Sequence, residues 1–273
     1  MSQVEVNELL MDSDKICFIY CVNQFHLLKE SMKYLSALFI PEGINVEVLT
    51  IANAKSMASG YNEALSKTNA KYKVYLHQDV YILNPNFIVD VLNIFQQNAK
   101  LGLFGVIGSR YLPSSGMWWE SADNYGQVFG SHSGTMELLA FNNCEPGNAC
   151  QRVTAVDGLL MITQADILWR EDLFPGWHYY DISQCMEFSR AGYEIGVAFQ
   201  DTPWALHDCG VADLSGFEEN RVRFIQEYQE EMREKFAAYY HDRCKLSLSD
   251  SSFSRGIDLS LLKRHLDEYG LNF

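Results

Sequence analysis

The sequence predicts an α/β fold built on a mostly parallel central sheet, and three observations predict it. Four apolar runs of strand length alternate with three stretches of helical length over residues 15–108, the pattern of strands joined by crossover helices. The strand-like runs are apolar throughout, as expected for strands covered on both faces. Polar clusters follow the ends of those runs, where open parallel sheets bind their ligands.

The elements follow in order. Lys15-Ile16-Cys17-Phe18-Ile19-Tyr20-Cys21-Val22 is the first strand. Over 24–39, Leu27, Leu28, Met32, Leu35 and Leu38 recur at helical spacing. Residues 45–51 form a second strand, 57–68 a helix, and Lys73-Val74-Tyr75-Leu76 a third strand that ends on His77-Gln78-Asp79. A helix over 87–97 leads into a fourth strand, 102–108. Residues 109–152 are rich in Gly, Ser, Asn and Trp, and their length implies a substrate-facing loop region or a small antiparallel insertion. Strand texture returns over 153–163. From Phe217 the pattern is helical, with Val222, Ile225, Met232, Phe236 and Tyr239 on one stripe, then a polar break over 247–255 and a short helix over 260–269. The tail reads as a helical pair packed on the sheet or on a second subunit, because its polar face is too acidic for membrane docking.

Composition narrows the function classes. The chain has 273 residues, 48% hydrophobic and 21% charged, the make-up of an ordinary globular protein of one or two domains, and no linker or repeat divides its first ~200 residues. With 21 basic and 35 acidic residues the net charge is −14, which argues against nucleic acid or an anionic membrane as partner. The seven cysteines include no CxxC pair, so neither a disulfide framework nor a zinc ribbon is expected, and reduced thiols in a cytoplasm are. Residues 1–8 are acidic where a signal peptide is basic, and no apolar run reaches the ~20 residues of a membrane span.

Four clusters offer chemistry. In His77-Gln78-Asp79, Asp79 is either a metal-holding carboxylate at a strand end or the cap of the next turn. In Trp177-His178-Tyr179-Tyr180-Asp181, Asp181 is either a helix cap or a general base, while Glu187 and Arg190 are spaced as a surface pair. His207 ends an apolar segment and could join Asp79 in a metal site or be structural. Residues 53–62, small and polar before a helix, would let a nucleotide diphosphate or base approach, although their spacing is neither a P-loop nor GxGxxG. Trp118, Trp119, Tyr125 and Trp177 are either core or a pocket that stacks on sugar faces.

The order of these clusters resembles the family 2 glycosyltransferases of GT-A fold, within the glycosyltransferase-like group that includes streptomycin- and capsule-biosynthesis members. The resemblance covers 15–210, and implies a GT-A domain over 1–212 with a C-terminal helical extension over 213–273. It implies nucleotide-sugar binding by Asn53, Ala58, Asn62, His77, Gln78, Asp157 and Gly158. His77-Gln78-Asp79 falls where the family has its DxD metal motif and departs from it at His77. Asp79 and His207 would hold Mn²⁺ or Mg²⁺, and Asp181 would be the base. The implied reaction is inverting transfer from a nucleotide-diphosphate sugar, a UDP-sugar foremost, to a hydroxyl of a glycan or small molecule. A homodimer through the C-terminal helices is a further expectation. The competing reading is a GT-A-fold binding or scaffold protein that has lost its chemistry at His77; a nucleotidyltransferase lacks support because no glycine-rich basic loop occupies 23–33.

Overall fold

The computed structural model describes residues 10–131, 134–144, 147–247 and 258–271, the side chains of 243–247 excepted. The readings made on residues 1–8, on most of the polar break and on the Cys244 side chain therefore lie outside the described residues. Strands β1 (Asp12–Val22), β2 (Asn45–Ala52) and β3 (Ala70–Leu76) pair in parallel in the order β2-β1-β3, joined by helices α1 (Phe25–Ser36) and α2 (Met57–Leu65). Residues 16–22 of β1 are buried on both faces, which is why that run carries no alternation. Helix α2 lies close on β1 because Gly60 has no side chain: a Cβ there would stand 2.4 Å from the Cys21 sulfur. After β4 (Val80–Ile82), helix α3 (Phe87–Gln97) buries Phe87, Ile88, Val91, Ile94 and Phe95, one face at helical spacing. It leads to β5 (Leu101–Gly105) and β6 (Ile107–Ser109).

The remaining strands are β7 (Asn124–Gly130), β8 (Glu137–Ala140), β9 (Cys150–Val153), β10 (Ala155–Val156), β11 (Leu160–Thr163), β12 (Glu194–Ala198) and β13 (Ala205–His207). Helix α4 (Tyr180–Arg190) precedes β12, and α5 (Phe217–Ser247) and α6 (Leu259–Glu268) close the chain. The main sheet runs β2-β1-β3-β11-β5-β12-β9. Parallel pairing extends to β5 with β12, while β11 enters antiparallel between β3 and β5 and β9 lies antiparallel on the edge. A second sheet runs β10-β6-β7-β13-β4, with β8 on β7, so residues 109–152 do contain an antiparallel insertion. The single strand expected over 102–108 divides at Val106, β5 staying in the main sheet and β6 crossing into the second. Close backbone approach makes the crossing possible: a Cβ on Gly108 would lie 2.1 Å from the Ala155 carbonyl oxygen.

Helix α5 buries Phe224, Tyr228, Met232, Phe236 and Tyr239. Met232, Phe236 and Tyr239 lie on the stripe as expected, but its start differs. Val222 is 41% exposed, because Phe224, two positions further on, takes the inward face. These residues, with Leu262, Leu266 and Tyr269, belong to the same apolar cluster as Phe18, Val74 and Phe104 of the sheet. Fully burying one such side chain contributes about 1.5–3 kcal/mol, so the C-terminal helices extend the core of the α/β domain. Buried hydrogen bonds fasten them: Tyr239 Oη donates to Asp123 Oδ2 at 2.9 Å, and Tyr269 Oη to the Leu112 carbonyl at 2.8 Å. No described helix is long and apolar enough to cross a membrane, and the six described cysteines are free thiols.

Candidate active site

The site is assembled where the two sheets meet. The turn 77–79 joins β3 to β4, and the antiparallel register of β4 on β13 sets His207 opposite Val80 and hence beside Asp79. The Asp208 N–H donates to the Asp79 carbonyl at 2.9 Å and the His77 N–H to that of Leu159 at 3.1 Å, which ties the turn to both neighbouring segments. His207 Nε2 lies 3.5 Å from Asp79 Oδ1 and 3.3 Å from His77 Nδ1. The other nitrogen of His77, Nε2, lies 2.5 Å from the Tyr180 hydroxyl. Among the described residues, His77, Asp79 and His207 are the group whose donor atoms converge within 4.8 Å of one another.

Their electrostatics suit a cation. Burial, then the neighbouring His207, pushes His77 down to about 4, against the pull of Asp79 and Asp157. For Asp79 burial is the largest single influence and acts upward. The hydrogen bond and charge of His207 together with the charge of His77 outweigh it and hold the carboxyl below its usual range. A neutral imidazole and an ionised carboxylate are the forms that ligate metal. The residues present therefore fit a divalent ion. Two nitrogens and one oxygen suit Mn²⁺ or another transition ion better than Mg²⁺, which favours oxygen.

The second half of the site is the 157–159 turn facing the start of α4. Asp157 accepts from Trp118 Nε1 at 3.2 Å and from the Leu159 N–H at 2.9 Å. Asp181, in the first turn of α4, accepts from the Gly158 N–H at 2.9 Å. Burial and then the charge of Asp157 push Asp181 up to about 7, although the N–H groups of Ile182 and Gly158 pull it down. Gly158 leaves no space for a side chain, since a Cβ would stand 2.4 Å from the Tyr180 hydroxyl and 2.9 Å from Asp181 Cβ. Tyr179, just before α4, has φ +66°, a left-handed conformation uncommon for a residue with a side chain.

Other residues read as binding a nucleotide sugar are placed differently. Asn53 is exposed at the end of β2 with φ +58°. Ala58 is fully buried under β1 and has no surface to offer a ligand. Asn62 clamps the backbone of Trp169, donating to its carbonyl at 3.0 Å and accepting from its N–H at 2.8 Å. Gln78 holds the β1–α1 loop by accepting from the N–H groups of Asn23 and Gln24 at 3.0 and 2.9 Å. The start of α2 is also occupied: Ser56 Oγ accepts from Ser59 N–H at 3.1 Å, and the Met57 N–H donates to the Gly176 carbonyl at 3.1 Å. Those two donors are unavailable to a phosphate. His77, Asp157 and Gly158 are the members of that set that stand with Asp79, Asp181 and His207.

Tyr180, which touches His77, is given no role of its own by the sequence, where it stands only as the neighbour of Asp181. Of the aromatic residues, Trp118 is buried and Tyr125 partly so, whereas Trp119 is 48% and Trp177 46% exposed. Glu187 and Arg190 do pair, at 2.9 Å, within a wider network that adds Arg170 and, from α5, Glu227 and Glu231.

The sequence profile of a glycosyltransferase-like family matches residues 17–228. No curated protein sequence matches the chain. Among solved structures, GalNAc-T7 with UDP, GalNAc and Mn²⁺ is similar over 97% of this chain and 55% of its own, at 9% identity and a TM-score of 0.53. The mannosyltransferase PcManGT from Pyrobaculum calidifontis, in complex with GDP-Man and Mn²⁺, aligns over 96% of this chain and 76% of its own, at 11% identity and a TM-score of 0.50. Residues 1–349 of TarS from S. aureus align over 93% and 80%, at 12% identity and a TM-score of 0.49. At these identities the first two likenesses carry the fold.

Proposed function

The chain belongs to the glycosyltransferase-like family and has the GT-A fold, and from that premise we propose that it transfers a sugar from a nucleotide-diphosphate sugar to an acceptor hydroxyl, with inversion at the anomeric carbon. One observation carries the reading: the His77, Asp79 and His207 group is joined through Tyr180, at 2.5 Å from His77 Nε2, to the α4 head, where the next residue is a carboxylate, Asp181, with a pKa raised to about 7. A divalent cation held by the three residues, Mn²⁺ foremost, would supply positive charge against the diphosphate as it leaves. That charge matters in a chain of net charge −14.

Asp181 takes the proton of the acceptor hydroxyl as it attacks. A carboxylate with a pKa near 7 is a stronger base than an ordinary one and is still half ionised at neutral pH, the compromise that general-base catalysis favours. The Gly158 N–H orients it, and Asp157, itself held by Trp118 and the Leu159 N–H, raises its basicity. The exposed faces of Trp119 and Trp177 offer an acceptor flat apolar surfaces to stack on. GalNAc-T7 with UDP and Mn²⁺ and PcManGT with GDP-Man and Mn²⁺ support the donor class and the ion. We take a UDP-sugar as the first donor to test, a glycan or small molecule as the acceptor class, glycan or polysaccharide synthesis as the setting and the cytoplasm as the compartment, in keeping with the free thiols. His77, the departure that pointed to lost chemistry, still offers a donor atom to the ion.

The test is a panel of UDP- and GDP-sugars scored with Mn²⁺ for binding by calorimetry and for slow hydrolysis. At least one donor binds in an Mn²⁺-dependent way, and Asp79→Ala removes that dependence. Binding of no donor, or an Mn²⁺ effect that survives Asp79→Ala, overturns the reading.

A further inference from the structure

We propose that Tyr180 is the positioning residue of the metal centre: its hydroxyl holds Nε2 of His77 so that Nδ1 of the same ring faces Asp79 and His207 as a ligand. The inference rests on the reading that those three residues hold a divalent cation. The hydroxyl has two polar neighbours, His77 Nε2 at 2.5 Å and the Gly158 carbonyl oxygen at 3.4 Å. A ring that gives the Nδ1 lone pair to a cation carries its proton on Nε2. The hydroxyl can accept from that N–H while donating to the Gly158 carbonyl, so every proton in the chain has an acceptor. Without an ion, His207 Nε2–H, which donates to Asp79, also faces the His77 Nδ1 lone pair at 3.3 Å, and the His77 proton again sits on Nε2, against the hydroxyl. The hydroxyl accepts from that N–H with and without the ion, and a phenyl ring does so in neither case.

Tyr180 is also built not to move. It is 4% exposed, and its ring packs against Tyr61 and Trp169 with centroids 5.9 Å away in each case. On the far side, the absent side chain of Gly158 leaves room for the hydroxyl and nothing more. Its backbone follows Tyr179, whose left-handed conformation is held by packing on Phe217 and Phe224 of α5, centroids 5.1 and 5.4 Å away. That entry aims two consecutive side chains at once, Tyr180 at His77 and Asp181 at the Gly158 N–H. The partner of a ligating histidine fixes the tautomer and orientation of its ring, and loss of such a partner typically weakens metal binding by about 10–100-fold.

The experiment compares the full chain with Tyr180→Phe and His77→Ala, reading Mn²⁺ affinity by calorimetry and the His77 ring by ¹⁵N correlation spectra of the Zn²⁺-loaded, ¹⁵N-histidine-labelled protein. The wild type binds Mn²⁺, His77→Ala abolishes binding, Tyr180→Phe weakens it by about 10–100-fold, and the His77 ring carries its proton on Nε2. Wild-type affinity in Tyr180→Phe alongside a dead His77→Ala, or a proton on Nδ1 in the Zn²⁺-loaded wild type, overturns the inference and leaves the metal site standing. A wild type that binds no Mn²⁺, or a His77→Ala variant that binds it normally, overturns both. The ring measurement uses the unaltered chain and also reads the Tyr180 contact: an Nε2–H slow to exchange with solvent supports it, and a rapidly exchanging one overturns it, even where Tyr180→Phe fails to fold.

Discussion

Helix α2 starts on Ser56, whose hydroxyl caps Ser59 while Ser59 caps it in return, and its first N–H is taken by Gly176. Helix α4 starts on Tyr179, which has a left-handed backbone and no capping side chain, and its first turn carries a carboxylate close to another carboxylate. The start of α2 satisfies local rules of helix formation, and its polar groups are accordingly engaged within the fold. The start of α4 breaks them, and its groups face Gly158, Asp157 and His77 instead. The α2 head is thus a local solution closed on itself, whereas the uncapped, strained α4 head is held in place by tertiary packing.

The strongest way to break this contrast is Asp181→Asn. Turnover falls by about 10²–10⁴-fold while donor binding persists; near-wild-type turnover would place the α4 head with the α2 head as structure alone. In the wild type, kcat/KM rises with pH through about 7 as the carboxyl ionises, and the variant loses that limb. Stability moves the opposite way. A carboxyl whose folded pKa lies above its unfolded value of about 3.9 contributes stability that is complete below that pH and is lost as pH rises through about 7. Asp181→Asn therefore melts higher than the wild type at pH 8, and the gain vanishes near pH 4. Melting curves at the two pH values check it.

Gly158→Ala is the next largest. The new methyl group has no space beside the Tyr180 hydroxyl and Asp181, and a displacement of about 1 Å in such groups costs on the order of 10²-fold in kcat/KM. Unchanged kinetics would mean that the α4 head yields as easily as a surface loop. The smallest effect belongs to α2. Ser56→Ala removes a cap worth about 1 kcal/mol, lowers Tm by about 2–4 °C and leaves kcat alone. A fall in kcat there would make the α2 head a part of the reacting site.

What the sequence makes legible follows the range of the interactions. Helix α3 is read to its end residues, because its apolar face and its terminators are local. The division of 102–108 between two sheets is not legible, since both halves are equally apolar and the change of sheet depends on Ala155 and Val156 far along the chain. The α5 stripe is read correctly at Met232, Phe236 and Tyr239 and misread at its start, because Val222 and Phe224 look alike to a hydrophobicity pattern and only the shape of the core chooses the larger ring. At the site, Asp79 and His207 stand out as residue types at strand ends, and the β4–β13 register brings them together. Asn62 and Gln78 are chemically suited to a ligand, but their amides are engaged by backbone groups that pattern cannot foresee. The Tyr180 contact with His77 spans 103 positions and leaves no trace in either local segment.

The packing of α5 on Tyr179 gives the two sides of that helix different histories. Phe217 and Phe224 press on the residue that aims Tyr180 and Asp181, and Tyr228 donates to Glu187 of α4 at 2.8 Å. The family profile ends at this same residue, 228. Substitutions on the inward side of α5 will be filtered by whatever selects the reaction, while the charged outward side can drift or acquire a partner without the site registering it. Cutting the chain after residue 212 would take away the wall behind the α4 head.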